Sequence, residues 1–424
     1  MRVMKWSIIA LAVAAGTSQL AMASSQDESK GFVEDSSLNV KLRNLYFSRD
    51  YRNVPNTEQS RAAEWGQGFI GTFESGFTQG TIGVGVDAIG MLGLKLDGGK
   101  GTAGTGLFPT GSDERSQDDY SKGGAAIKFR ISDTVLKVGD QFTSLPVLAT
   151  DDSRLLPEMA QGALITSNEI KGLTLNAGRF TSITAQDQTN RDGGIHLTKA
   201  DVLGGTYAFS DELSTSLYYS KVEDYWRKYY ANVNWSLPIN DEQGLVFDFN
   251  FYNTKSTGAA LEKAYDGDKI DSRAFSLSAA YTIGAHTFTL AHQRISGDGG
   301  YAYGVDGGGT VFLANSVARS DFNSEDEKSW QARYDINMAT FGVPGLSFMT
   351  RYIRGTDANV SSGNNGKEWE RDIEAKYVLQ EGPAKDLSFR VRQATYRSSD
   401  AVYNNSSPSI DELRLIVEYP LSIL

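Results

Sequence analysis

Basic residues recur at i, i+2 spacing beside alternating apolar ones: Lys41 and Arg43 in NVKLRNL, Lys128 and Arg130 in AIKFRI, Arg390 and Arg392 in SFRVRQ. Arg351 in SFMTRY and Arg414 in ELRLIV stand in the same alternation. A guanidinium is a flat, permanently charged fork that donates two parallel hydrogen bonds to a carboxylate, so a row of them can grip an acid and release it to a neighbour. The chemistry this spacing offers is reversible anion binding rather than bond making. The bland alternative is a set of charges that satisfy one another inside a wet interior.

Catalysis finds less support. The chain has three histidines, His196, His286 and His292, and no cysteine. A nucleophile, base and orienting acid must lie within hydrogen-bond reach of one another. His292 shares parity with Phe288 and Leu290, which turns it outward; His286 lies in a short turn and His196 in a long polar stretch. The sequence contains neither a Gly-x-Ser-x-Gly elbow nor a His-x-x-x-His pair. A membrane-embedded hydrolase is therefore the competing class, without a motif to carry it. Asp113-Glu114 and Asp118-Asp119 lack the Asp-x-Asp-x-Asp-Gly pattern of a calcium loop and read as solvated charge. No metal and no cofactor is expected.

The elements that must position the arginines are strands. In Gly244–Lys255, Leu245, Phe247, Phe249 and Phe251 alternate with Val246, Asp248, Asn250 and Tyr252. Tyr229, Ala231, Val233, Trp235 and Leu237 alternate in the same way, as do Trp369, Ile373, Ala375, Tyr377 and Leu379, with Arg371 an exception on the apolar face. Successive strand side chains point to opposite faces, so each run has one greasy and one wetter side. By this parity Lys41, Arg43, Lys128, Arg130, Arg351, Arg390, Arg392 and Arg414 all share the wetter side. If the greasy side meets lipid, that placement is forced, because Arg or Lys there costs about 2–4 kcal/mol at the bilayer midplane.

Turn signals divide the runs. Short connectors fall at Ser132-Asp133-Thr134, Lys171-Gly172, Ser210-Asp211-Glu212, Gly284-Ala285, Val343-Pro344-Gly345 and Gly382-Pro383-Ala384. Long polar stretches lie between them, at 97–121, 143–160, 181–199, 255–272, 297–328, 355–367 and 397–411. Such an alternation of short turns and long loops marks a transmembrane barrel, and the runs pair into about eighteen strands, an even number. The fold expected is an all-β, antiparallel, up-and-down transmembrane β-barrel. Trp65, Trp226, Trp235, Trp330, Trp369, Tyr218, Tyr219, Tyr229 and Tyr230 sit near strand ends and suit an interfacial aromatic belt.

Composition agrees. The 44 glycines and 20 each of Tyr and Phe, in a chain only 40% hydrophobic, suit strands wetted on one side. Residues 1–23 read as an export signal, with Arg2 and Lys5 before the apolar SIIALAVAAG and then Ala21-Met22-Ala23, which leaves 24–424 as one barrel domain. Without Arg2 and Lys5, 39 of the 41 basic residues remain against 52 acids, a balance that argues against nucleic acid as a partner.

The segments GFVEDSSLNVKLRNLYFSRD (31–50), FESGFTQGTIGVGVDAIGMLGLKLDG (73–98), SRLLPE (153–158), FLANSV…SDF (312–322), KSWQARYD (328–335), GPAKDLSFRVRQA (382–394) and ELRLIVEYPLSIL (412–424) together resemble the outer-membrane porin D (OprD) family of substrate-selective channels. The resemblance spans nearly the whole chain. It implies a monomeric or weakly trimeric eighteen-strand barrel of the Gram-negative outer membrane, in contact with lipid and lipopolysaccharide. Two loops, 143–160 with Arg154 and 297–328, would fold into the lumen as a constriction. It implies that Arg49, Arg390, Arg392 and Arg414 belong to a basic ladder, with Ser316 and Asp321 on the acidic side of the constriction. Members admit small carboxylate-bearing nutrients, among them basic amino acids and small peptides, and some admit carbapenem antibiotics; a specialist for aromatic carboxylates is an open alternative. Gly309 and Thr310 stand where relatives can carry Asp and Ser, so one acidic contact is missing from the pattern.

Overall fold

The computed structural model describes residues 26–55, 58–192, 197–258, 269–404 and 408–424; the expected export signal at 1–23 and His196 lie outside them. The strands are β1 Ser37–Tyr51, β2 Arg61–Glu74, β3 Gly83–Asp97, β4 Asp119–Ile131, β5 Thr134–Gln141, the short β6 Ser144–Leu145 and β7 Leu148–Ala149, β8 Met159–Ile170, β9 Leu173–Thr184 and β10 Ala200–Ala208. They continue with β11 Leu213–Val222, β12 Trp226–Asn240, β13 Gln243–Ser256, β14 Asp271–Ile283, β15 His286–Asp298, β16 Lys328–Asn337, β17 Leu346–Val360, β18 Gly363–Val378, β19 Ser388–Ser398 and β20 Ile410–Ser422. All but β6 and β7 form one 18-stranded antiparallel sheet. It closes on itself because β1 pairs with both β2 and β20.

Alternation puts apolar side chains on the outer surface. Leu217, Leu290, Leu203, Ile373 and Phe288 remain exposed there, whereas Ser220, Ser276, Gln293, Ser329, Glu370 and Asp372 are buried on the inner face. This inverts the pattern of a water-soluble protein and fits a barrel whose outside meets hydrocarbon. At one rim the turns at 132–133, 171–172, 209–212 and 284–285 are as short as the sequence suggests, whereas Val343-Pro344-Gly345 and Gly382-Pro383-Ala384 lie within the longer connections 338–345 and 379–387. Gly172 and Gly284 adopt the positive φ their two-residue connections require (78° and 55°).

At the other rim one expected loop is absent and one further connection is short. The polar segment 355–367 is mostly strand, with β17 and β18 running on to a tight turn at Ser361-Ser362. β11 and β12 join through only Glu223-Asp224-Tyr225. The aromatic belt also needs correction. Trp65, Trp235, Trp330 and Tyr229 face out, but Trp226, Tyr218 and Tyr230 are buried inside with Tyr252 and Tyr301. Even-numbered positions of β11 and β12 face the interior, so strand-end location alone misplaces them.

The constriction and its arginine wall

Inside the barrel, the segment between β5 and β8 folds inward and packs on β1–β4. Leu155 and Leu156 are wholly buried against Leu45, Phe47, Ile70, Met91, Phe108 and Tyr120. Glycines on the wall make the room. A Cβ on Gly66 would lie 2.7 Å from the Leu155 side chain, and one on Gly68 would lie 2.9 Å from its carbonyl oxygen. Polar groups fix the height of the loop. Arg43 donates from Nη1 to Asp152 Oδ1 (2.7 Å) and to the Arg154 carbonyl (2.6 Å), and from Nε to Glu418 Oε1 (2.8 Å). Lys41 Nζ adds a 2.9 Å ion pair to Asp152.

The β15–β16 connection enters from the opposite wall. Glu370 accepts the backbone N–H groups of Arg319 and Ser320 at 2.8 Å each, and Gln293 donates to the Asp321 carbonyl at 2.7 Å. Ser316 and Tyr303 both donate to the Asp321 carboxylate. Burial pushes that carboxyl up from its ordinary value, while the two hydroxyls and Arg319 hold it back. Ser316 and Asp321 thus sit together. Thr310 stitches the two loops: it donates from its backbone N–H to the Ala149 carbonyl (3.2 Å) and from Oγ1 to the Thr150 carbonyl (3.2 Å).

Sequence reasoning missed two further inward contributions. The β3–β4 connection buries Leu107 and Phe108 in the same cluster, and its Thr105 carbonyl accepts from Arg154 Nε at 3.1 Å. The β9–β10 connection is gripped by Lys122, which donates to the Ala185 and Gln186 carbonyls (2.7 and 2.9 Å), and Gln186 reaches the Asp151 carbonyl (3.2 Å).

Where the loops meet β1 and β20, three guanidinium groups surround one ring. Arg414, Arg49 and Arg154 lie 4.3, 4.6 and 5.3 Å from the centroid of Phe47. Glu412 bridges two of them, 2.6 Å from Arg414 Nε and 3.0 Å from Arg49 Nε. Burial, then Arg414 and Arg49, push the Arg154 guanidinium down to about 10, so it stays cationic at neutral pH. Arg414 also donates to the Ala318 carbonyl of the β15–β16 connection (2.7 Å).

The basic wall continues on β16–β19. Arg392 stands opposite Arg414 in register and opposite Glu374, with which it pairs at 2.6 Å; Arg390, opposite Lys376, lies 3.6 Å from the same carboxylate. Arg351 pairs with Asp372 at 2.6 Å and faces Arg333 in register. Arg333 and Lys376 share this wall and obey the same parity. Two expected members stand elsewhere. Lys128 is buried in an ion pair with Asp87 (2.7 Å) and lies over Phe77. Arg130 lies 4.2 Å from the same ring and donates to Gln26 Oε1 (2.8 Å). Both point inward as parity requires, but the N-terminal segment and the β2–β3 turn cover them.

The histidines are scattered. His292 faces out and stacks on Trp330 (4.3 Å), and His286 contacts the Tyr334 hydroxyl at 2.7 Å. No cluster of metal-ligating side chains occurs among the described residues.

A closed barrel with a greasy exterior, a charged lumen and loops narrowing that lumen is a membrane channel. Comparison with known proteins gives the particular kind. Residues 30–423 match the OprD family of outer membrane porins. The chain is 48% identical to Porin D of Pseudomonas aeruginosa over the full length of both. The crystal structure of Acinetobacter baumannii OccAB1 superposes with a TM-score of 0.88 at 34% identity, covering 95% of this chain and all of that one. That of Pseudomonas aeruginosa OpdK with vanillate gives 0.84 at 36%, covering 92% and 100%. The chain belongs to the OprD family and is an outer-membrane, substrate-specific porin; its homologues are channels rather than enzymes.

Proposed function

We propose that this porin passes small carboxylate-bearing nutrients by passive diffusion, with basic amino acids and small peptides foremost and carbapenem antibiotics as carboxylate-bearing passengers. The observation that carries the reading is the run of Arg49, Arg414, Arg392 and Arg390 on the neighbouring strands β1, β20 and β19, beside a constriction where Arg154 and the Ser316–Asp321 pair lie on separate loops. Each wall arginine already holds a glutamate, so it need exchange only part of its hydrogen bonding with a passing carboxylate. Low-dielectric walls focus the field of such a row and raise the local anion concentration. The acid at Asp321 would take an ammonium group while the guanidinium groups take the carboxylate, which orients a zwitterion. Arg43 and Arg351 support this wall through Asp152 and Asp372, whereas Lys128 and Arg130 stand apart from it beside Asp87, Phe77 and Gln26. The lumen is complete within one chain, so a monomer or a weak homotrimer would serve.

A second reading, preference for aromatic carboxylates, is favoured by two observations. A relative has been crystallised with vanillate, and Gly309 and Thr310 place no acid in the β15–β16 connection where relatives can have one. Liposome swelling with amino acids, dipeptides and aromatic carboxylates separates the readings. The double variant Arg390→Ala/Arg392→Ala is expected to slow carboxylate permeation several-fold while the barrel stays folded. Unchanged rates in that variant would overturn the ladder.

A further inference from the structure

The lumen wall that faces the arginines is almost bare of charge. From β9 to β15 the inward strand positions carry two charged side chains, Lys228 and Asp248. Lys228 is buried and donates to the Ala302 carbonyl (2.6 Å). Asp248 is half-buried, and among the described residues no cation pairs with it. Three neutral amides hold it instead. Asn232 and Asn234 of β12 donate to its Oδ1 (2.9 and 3.1 Å), and Asn250 of β13 donates to its Oδ2. By contrast, Asp372 and Glu374 on β18 hold Arg351 and Arg392.

The amides leave acceptors behind. A carboxylate can only accept, so each amide turns its N–H group toward Asp248. Oδ1 of Asn232 and Oδ1 of Asn234 then accept no hydrogen bond among the described residues. The carboxylate has about four acceptor positions and keeps one open, together with its whole charge. Its height follows from β13. Tyr252 donates to the Pro146 carbonyl of the β5–β8 connection (3.1 Å), and Ser276, in register with Asn250, accepts the Ala314 N–H of the β15–β16 connection (3.0 Å). Asp248 is the next inward residue toward the short-turn rim, about 7 Å along the strand from Asn250. It therefore stands just past the narrowing. Around the closed ring, Arg390 and Arg392 occupy the corresponding half of β19.

We propose that Asp248, with the amide oxygens of Asn232 and Asn234, is a second cation subsite, which takes the side-chain ammonium or guanidinium of a basic amino acid whose carboxylate rests on Arg390 and Arg392. Both cations carry donors and no acceptor, so either matches a site whose open positions are all acceptors. A solute leaving Asp321 finds a new partner for its cation before it leaves the arginines. A neutral side chain of the same size gains nothing there. The inference rests on the carboxylate reading above and adds to it a preference for solutes with a second cationic group. A purely structural role, stitching β12 to β13, needs the hydrogen bonds of Asp248 but not its charge.

The test is block of single-channel current in a planar bilayer by arginine and by citrulline, which share size and α-carboxylate and differ in side-chain charge. The wild type is expected to be blocked by arginine at the lower concentration. Asp248→Asn keeps the shape of the side chain and removes its charge. It is expected to raise the half-blocking concentration of arginine about threefold and to leave that of citrulline unchanged, since an exposed ion pair is worth at most about a factor of five. Asp241→Asn, in the exposed β12–β13 turn, should match the wild type for both solutes. Should Asp248→Asn not fold, Asp248→Ser replaces it, with the same expected loss. An unchanged arginine block in the variant, or an equal loss for arginine and citrulline, would overturn the subsite. Arg390→Ala/Arg392→Ala keeps the two readings apart. The carboxylate reading predicts weaker block by both solutes in that double variant and fails if neither changes, whereas the subsite is decided by Asp248→Asn.

Discussion

Arg43 and Arg414 point inward from paired strands, and their partners separate their tasks. Arg43 is spent on Asp152, the Arg154 carbonyl and Glu418, whereas Arg414 stands with Arg49 and Arg154 around Phe47 at the narrowing. Breaking a buried ion pair by removing one member costs about 3–5 kcal/mol, because the other charge is left uncompensated. Arg43→Ala is therefore expected to free the β5–β8 connection from the wall. Its single-channel conductance should rise and its preference among solutes should fall, while the barrel still migrates as a folded species on gels run without heating. Wild-type conductance in this variant would show that apolar packing of Leu155 and Leu156 alone holds the loop. Strand parity in the sequence found the inward direction of Lys41, Arg43, Arg351, Arg390, Arg392 and Arg414. It could not find which are covered, because parity carries no information on what folds over a side chain. Lys128 and Arg130 show this, lying under Gln26 and Phe77.

The strands were legible because each repeats a two-residue period, and register then follows from the turns. The inward loops were legible only in part. Their docking depends on what the wall lacks, at Gly66 and Gly68 of β2 and Gly93 of β3, and a strand glycine does not by itself say which loop will pack on it. The same loops carry a built-in pH response. Glu158, at the end of the β5–β8 connection, accepts from the Asp151 N–H (3.0 Å). Burial first, and then Asp306 of the β15–β16 connection, push its carboxyl from 4.5 up to about 9. The hydrogen bond from the Asp151 N–H lowers it, and the Asp151 carboxylate raises it. The docked loops thus hold a proton that released loops would give up. Docking is fully favoured below about pH 4.5, weakens as pH rises, and has lost this contribution above about pH 9. Current noise from loop movement is expected to grow between about pH 6 and pH 9 in the wild type and to stay level in Glu158→Gln. A flat wild-type profile would contradict the proton shared between the loops.

As a whole, the molecule is a greasy cylinder with an array of positive charge inside. The lumen array lies on β16–β20 and β1 and is interleaved with Glu374, Asp372 and Glu412, so its charges are held in place yet remain partly available. A net charge of −11 conceals it. The proposed function requires that the wet side of the barrel enclose an aqueous path graded toward carboxylates. Single-channel recording of the purified chain in a planar bilayer tests this most directly. Discrete ion steps are expected, reduced when a basic amino acid is added to one side and less reduced by its decarboxylated amine. An absence of steps, or equal reduction by the acid and the amine, would contradict the account.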